Sequence, residues 1–404
     1  MKHFLFYLMI CWITINGYSL LGNALQFTIQ GEIEGLQPGD TLVFERTTLP
    51  EYKYELLVEL IVEQPNQFSY SGIHENIGYY YMTYKPISGE VNRSDRLALA
   101  IILKDGLTHI SGSAEHIYFS QLKSDIYDNE LLQEFLDIDN SLGIERSNFS
   151  QLMEESRLAG DAEKTAEYSS KFNNFRIDRN EDFQRLSKLR NDFYENFPSS
   201  EYTIVEMLKG VTYTSYETLQ SRFDKMNDEA KSSYFGVILK REINKIAALQ
   251  PGNYAPDFHL VSISGEEISL KDCVGKYVLI YHWGLCPGSL MINNDVVELY
   301  EKYKEHLVII GATSSIETIK NLYKNTSDAT EVMGVKLKPV LKQMLSHPWF
   351  DVETTGDNIK LKNDFAFGGQ PYFVFISPEG KIIVRDFHSA FHKAKSTLEA
   401  ELGE

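Results

Sequence analysis

Cysteine is scarce in this chain, three in 404 residues, and one of them, Cys11, lies in an apolar run at the start. The other two, Cys273 and Cys286, are too few for a disulfide framework. Nor can they pair with each other. Lys276 to Trp283 reads as an extended buried strand between them, and eight residues at about 3.3 Å each hold the sulfurs about 25 Å apart. A disulfide needs Cα atoms within roughly 7 Å. Two free thiols follow, each buried or used, and Cys273, between Leu270 and Val274, reads as buried. Positive charge is also in short supply: 39 Lys and Arg against 57 Asp and Glu give a net charge of -18 and a pI near 5.1. No cationic cluster is present, so neither nucleic acid nor an anionic membrane surface is an expected partner. Histidines His306, His347, His388 and His392 lack a metal-ligand spacing and read as scattered surface residues. Internal repeats and low-complexity tracts are absent.

Long hydrophobic runs are missing apart from Phe4 to Ile15. As a helix that run spans about 18 Å, short of a bilayer core of roughly 30 Å. With Lys2 before it and Gly22-Asn23-Ala24 after it, it reads as an export signal over residues 1–24, with the mature chain starting near Leu25. The alternative is an uncleaved start that tethers the chain to the membrane. A lipid anchor would need a small residue before Cys11, and Ile10 stands there.

What the chain does have is packing material, 43% apolar and 12% aromatic residues, enough for two or three folded units. From 25 to 120 the pattern predicts an all-β domain, sandwich or barrel, with strands at Gln26–Ile29, Thr41–Phe44 after Pro38-Gly39-Asp40, Tyr79–Met82, and Leu97–Leu103. The tyrosines of the third strand read as ordinary strand formers rather than a ligand platform. From 125 to 250 the spacing is helical. Phe235, Ile238, Leu239, Ile243 and Ile246 share one face, Thr214 with Glu217 fits a capping box, and Glu154, Glu155, Lys164 and Lys171 form a solvated face. Gln250-Pro251-Gly252-Asn253 marks a boundary. From 254 to 404 strands and helices alternate as in a sheet covered by helices. The expected elements are a strand Lys276–Tyr281, a helix Gly288–His306, a strand Leu307–Gly311, and a helix capped by Ser314 and Glu317. A hairpin joins Phe373–Ile376 to Lys381–Val384, and a closing helix covers Ser389–Leu402.

Cys286 stands before Pro287, and proline is favoured at the first position of a helix because its missing N–H is not needed there. The thiol then caps the helix, where positive potential favours the thiolate that attacks disulfides. A surface helix dipole contributes only about 0.3–1 kcal/mol. His282, within an apolar strand, reads as a packed residue.

Ala255-Pro256-Asp257-Phe258, Gly275 to Ile280, Trp283 to Cys286 and Gln370-Pro371-Tyr372-Phe373 occur in thioredoxin-like order. The region from about Tyr254 to Glu404 resembles the TlpA and ResA group of exported thiol–disulfide oxidoreductases, including the hairpin Ser377 to Lys381. The residues upstream look like the region of unknown function that often precedes such domains in bacterial envelope proteins. The resemblance implies an α/β thioredoxin fold and no cofactor. It makes Pro371 the cis-proline opposite the nucleophile Cys286, and Gln370 a source of backbone for an extended substrate. Trp283 and Pro287 then border the substrate. The implied partners are protein or peptide thiols and disulfides, with a membrane-bound reductant as an electron source, in the periplasm or cell envelope.

Where that family has Trp-Cys-x-x-Cys, this chain has Leu285-Cys286-Pro287-Gly288-Ser289, with one residue fewer between Trp283 and the cysteine. Ser289 replaces the resolving thiol, and a hydroxyl cannot attack a mixed disulfide. Tyr281 takes the strand position of a buried acid found in many thioredoxins, and Ile292 and Asn294 replace a helix glutamate and proline. Two readings follow. Either Cys286 acts alone, with Ser289 bonding its thiolate and an external thiol resolving the adduct, or the chemistry has decayed and the fold binds peptides. A peroxidase reading of Cys286-Pro287 is the weaker alternative, because Trp283 stands where a peroxide-orienting hydroxyl is needed.

Overall fold

The computed structural model describes residues 25–89, 98–328, 330–332 and 334–403. The export signal and the beginning of the strand expected at Leu97 lie outside them. The chain divides into two compact units, one of residues up to Lys209 with Ser221–Lys240, the other of Gly210–Gln220 with Arg241–Glu404.

The first unit begins with eight strands: β1 (Leu25–Glu34), β2 (Thr41–Thr47), β3 (Tyr54–Ile61), β4 (Gln67–His74), β5 (Gly78–Lys85), β6 (Leu99–Leu103), β7 (Gly106–Ser113) and β8 (Gln121–Lys123). They form two four-stranded sheets, ordered β4-β1-β7-β8 and β3-β2-β5-β6. Alternation decides which side chains go inside: Phe27, Ile29 and Ile33 of β1 are buried while Gln26 and Glu32 are exposed. Phe44 of β2 meets Phe68 of β4 with ring centroids 6.3 Å apart. Tyr79 and Tyr80 are core residues, 3% and 0% exposed. Helices follow: α1 (Glu130–Leu158), α2 (Ala162–Asp178), α3 (Asn180–Asn196), α4 (Glu201–Lys209), α5 (Tyr216–Asp224), α6 (Asp228–Ser232) and α7 (Tyr234–Ala248), of which the start of α5 and the end of α7 belong to the second unit. The charged face of α1 and α2 is solvated, with pairs such as Lys171–Glu167 at 2.7 Å, each contributing only about 0.2–0.5 kcal/mol. α5 starts one residue later than expected. Ser215 accepts the Thr218 N–H, whereas the Thr214 hydroxyl donates to the Gly210 carbonyl.

The second unit carries β9 (His259–Val261), β10 (Glu267–Ser269), β11 (Tyr277–His282), α8 (Pro287–Tyr303), β12 (Leu307–Thr313), α9 (Ile316–Asn325), β13 (Glu331–Val332), β14 (Val335–Lys336), α10 (Leu337–Met344), β15 (Phe350–Glu353), α11 (Ile359–Asp364), β16 (Tyr372–Ile376), β17 (Ile382–Asp386) and α12 (His388–Leu402). Its sheet runs β15-β12-β11-β16-β17. β12 is parallel to both β11 and β15, and β16 is antiparallel to β11 and β17. This is a thioredoxin-like arrangement. All six residues of β11 are buried, as a strand covered on both faces requires. Leu279, Tyr281 and Trp283 point to one layer with Val296, Phe373 and Phe391. Val278 and Ile280 point to the other with Phe258, Phe365 and Val374. α9 is capped by Ser315, whose side chain accepts the Thr318 N–H, and not by Ser314. β15 and α10 have no counterpart in the expected elements. Among the described residues no helix is long and apolar enough to cross a membrane.

Candidate active site

β11 hands the chain to α8 through Trp283, Gly284 and Leu285. Cys286 is the helix N-cap, with extended backbone at φ -70° and ψ 152°, and Pro287 opens the first turn. The thiol is half-buried. Its Sγ lies 3.2 Å from Ser289 Oγ and 3.1 Å from the Gln370 carbonyl oxygen, and the Ser289 N–H donates to it at 3.4 Å. The neutral thiol has one proton for two acceptors. Once ionised, the sulfur would take two donors, the Ser289 N–H and the Ser289 hydroxyl, while the Gln370 carbonyl would oppose its charge. Ser289 is fully buried. Its hydroxyl accepts the Gly284 N–H at 3.3 Å, and the Tyr281 hydroxyl donates to its carbonyl at 3.5 Å. Burial raises the Tyr281 pKa further above its ordinary value, so it stays a donor throughout the physiological range.

The Gln370–Pro371 peptide is cis. A β-carbon on Gly288 would come 2.8 Å from Pro371 Cδ, so the proline lies against the first turn of α8. His282 secures this loop: its Nδ1 lies 2.6 Å from the Gly369 carbonyl oxygen and must donate to it, leaving Nε2 to accept from Gln370 Nε2 at 3.2 Å. Gln370 Nε2 also reaches the Trp283 carbonyl at 2.9 Å. That seat exists because residue 284 is glycine; a β-carbon there would sit 2.0 Å from Gln370 Oε1. The imidazole stacks on Phe367 at 4.8 Å, and burial lowers its pKa to about 4. It is therefore neutral at pH 7, the form this bonding requires. Farther back along the loop Ala366 holds a φ of 46°, uncommon for a residue with a β-carbon. The Arg385 guanidinium donates to its carbonyl at 2.8 Å.

Trp283, expected beside the substrate, is instead fully buried. Its indole N–H donates to Asp351 Oδ1 at 3.1 Å, and Trp349 donates to the same oxygen at 3.2 Å. Asp351 Oδ2 is 2.9 Å from His347 Nδ1, and His347 Nε2 is 2.9 Å from Asn293 Oδ1, whose amide group donates to Gln343 at 2.8 Å. His347, expected at the surface, thus has a side chain with 0% exposure. Its ring stacks on Trp349 at 4.2 Å and meets Trp283 edge-on at 4.9 Å. Trp283 is the floor of the site, and this polar network is what holds the floor.

Cys286, Ser289, Gln370 and Pro371 therefore come together, Pro287 is exposed beside them, and Trp283 lies beneath. Asp351, His347 and the Gly369 carbonyl were not singled out from sequence as parts of the site. The available signal was His347 and Asp351 at a spacing of four residues next to Trp349. Among the described residues no group of three or more His, Cys, Asp or Glu could hold a metal ion.

No family model matches the chain. The thiol-disulfide oxidoreductase ResA of Bacillus cereus is 39% identical over 83 residues, 19% of this chain and 46% of that protein. The thioredoxin-like protein YneN of Bacillus subtilis is 32% identical over 91 residues, 21% of this chain and 54% of that protein. The chain thus spans about half the length of the curated relatives it matches. Among solved structures, the thioredoxin domain of a thiol-disulfide oxidoreductase from Bacteroides vulgatus is 23% identical, with a TM-score of 0.27, covering 36% of this chain and 97% of that one.

Proposed function

We propose, on the premise that this chain belongs to the thioredoxin-like thiol–disulfide oxidoreductase family that includes ResA, that Cys286 exchanges with disulfides of proteins or peptides as a lone nucleophile in the cell envelope. The Cys286 thiolate attacks one sulfur of a substrate disulfide. A Cys286–substrate disulfide forms, and the other substrate sulfur leaves as a thiolate that takes up a proton. Ser289 cannot complete the cycle, so an external thiolate attacks the adduct, forms a new disulfide with the substrate sulfur, and returns Cys286 as thiolate. A membrane-bound reductant fits that second role.

The observation that carries this reading is the placement of Cys286 Sγ, half-exposed at a helix start within 3.2 Å of the Ser289 hydroxyl and 3.4 Å of its N–H. The envelope location rests on the export signal read in residues 1–24. The second reading, a peptide-binding module without chemistry, is supported by the Gln370 carbonyl 3.1 Å from Sγ, an acceptor for the neutral thiol.

Alkylation of Cys286 across pH in the mature protein, with capture of glutathione disulfide as an adduct, tests the choice. Saturable native-state labelling and a stable adduct are expected. A thiol that reacts only after unfolding leaves the binding module. In the same assay Ser289→Cys should convert stoichiometric capture into intramolecular release of the substrate thiol.

A further inference from the structure

Tyr213 is 65% exposed, although it sits on a turn with little freedom. Its N–H donates to the Gly210 carbonyl at 3.0 Å, and the Thr214 hydroxyl donates to that carbonyl at 2.9 Å. The turn belongs to the same compact unit as Cys286 and lies on the loop that precedes Pro371. A β-carbon at Gly368 would come 2.7 Å from the Thr212 carbonyl oxygen, and one at Gly369 would lie 3.5 Å from the Tyr213 hydroxyl. The Tyr213 ring stacks on Phe387 at 6.1 Å and 14°, and Phe387 meets Tyr372 edge-on at 5.1 Å. Tyr213 is thus the exposed end of a braced aromatic array. It borders the space beside Gly369, one residue from the carbonyl that contacts Cys286 Sγ.

We propose that Tyr213 is a specificity-determining residue of the Cys286 site, selecting extended peptides that carry an aromatic or large aliphatic residue one or two positions from their cysteine. The proposal rests on the exchange chemistry proposed above for Cys286. A single exposed tyrosine needs no special explanation; its position against the loop that carries Gln370 and Pro371 does. A strand advances about 3.3 Å per residue, so a peptide whose sulfur meets Sγ and whose backbone runs along Gly369 and Gln370 brings its neighbouring side chain over the Tyr213 face. A ring already fixed by stacking loses little freedom on binding, which is how aromatic anchors dominate interfaces.

Two peptides test this, one with phenylalanine two residues from its cysteine and one with serine there, each as the mixed disulfide with thionitrobenzoate. Cys286 forms a disulfide to the peptide and thionitrobenzoate leaves as a coloured thiolate. In the full chain the aromatic peptide should react about 10-fold faster. Tyr213→Ser should erase that preference, Tyr213→Phe should keep it, and the small mixed disulfide of mercaptoethanol should react equally with all three proteins. A preference that survives Tyr213→Ser, or an equal loss with every disulfide, overturns the proposal. If Cys286 reacts with none of them, the exchange reading fails by itself. Anisotropy of a labelled aromatic peptide with alanine for cysteine then decides the Tyr213 claim, which requires binding several-fold weaker in Tyr213→Ser.

Discussion

Two turns of this molecule each carry a free thiol, and their surroundings set them on opposite courses. Cys273 ends a short 3-10 helix, Leu270–Cys273, and is 2% exposed. Its Sγ donates to the Ser269 carbonyl at 3.5 Å. Burial, then the negative charge of Asp272, pushes the thiol up to about 11, so at pH 7 about one molecule in ten thousand carries its thiolate. Cys286 instead begins a helix, is half-exposed, and faces the N–H and hydroxyl of Ser289. Cys273 meets a carbonyl and has a carboxylate nearby, whereas Cys286 meets the N–H and hydroxyl of Ser289 as well as the Gln370 carbonyl. The two turns thus give their thiols different access and different partners, the features on which thiol reactivity depends.

The sharpest way to break that contrast is to remove each sulfur in turn. Cys286→Ala should abolish adduct formation, while Cys273→Ala should leave it intact. In the native protein at pH 8, iodoacetamide followed by peptide mass mapping should mark Cys286 at least about 100-fold faster than Cys273, since nucleophilic attack requires access and thiolate. Labelling of Cys273 first would end the distinction.

A smaller effect separates the supports beneath the two turns. Asp351→Ala strands the indole N–H groups of the buried Trp283 and the partly buried Trp349 and should lower unfolding stability by about 2–4 kcal/mol in urea titration. Cys273→Ala removes only a small buried group and should cost about 1 kcal/mol. Equal losses would mean that the Asp351 network is not what holds the floor.

A narrower effect, confined to acid pH, comes from His282. His282 has a folded pKa of about 4 against an ordinary value near 6.5, so between those values the unfolded chain binds more protons. The His282 contribution is present above about pH 6.5 and is lost as pH falls toward 4, amounting to about 2 kcal/mol between pH 7 and pH 5. His282→Gln should flatten that part of the stability curve, read from urea midpoints at the two pH values. An unchanged slope would remove His282 from the account of the Gln370 loop.

How much of this was legible in the sequence depended on distance along the chain. Cys286 ahead of Pro287 is a local pattern and reads directly as a helix start. The hairpin around Ser377-Pro378-Glu379-Gly380 is local too. The caps at Ser215 and Ser315 were misplaced by one residue because each has a hydroxylated neighbour, Thr214 or Ser314, and only backbone angles tell them apart. β15 has four residues and is placed by pairing with β12, so its period is too brief to read. Trp283 was expected at the substrate because its partner Asp351 is 68 positions away.

The sequence alone determined that a thiol would stand at the start of a helix, after a strand apolar enough to be buried on both faces, with a serine one turn on. Those are near-neighbour relations, governed by backbone conformation and side-chain period. Only the tertiary structure decided what the thiol meets. The Gln370 carbonyl lies 84 positions away in sequence, and the carboxylate under Trp283 and the tyrosine beside Gly369 arrive just as indirectly. Sheet register and packing bring them together, and no local preference encodes that meeting.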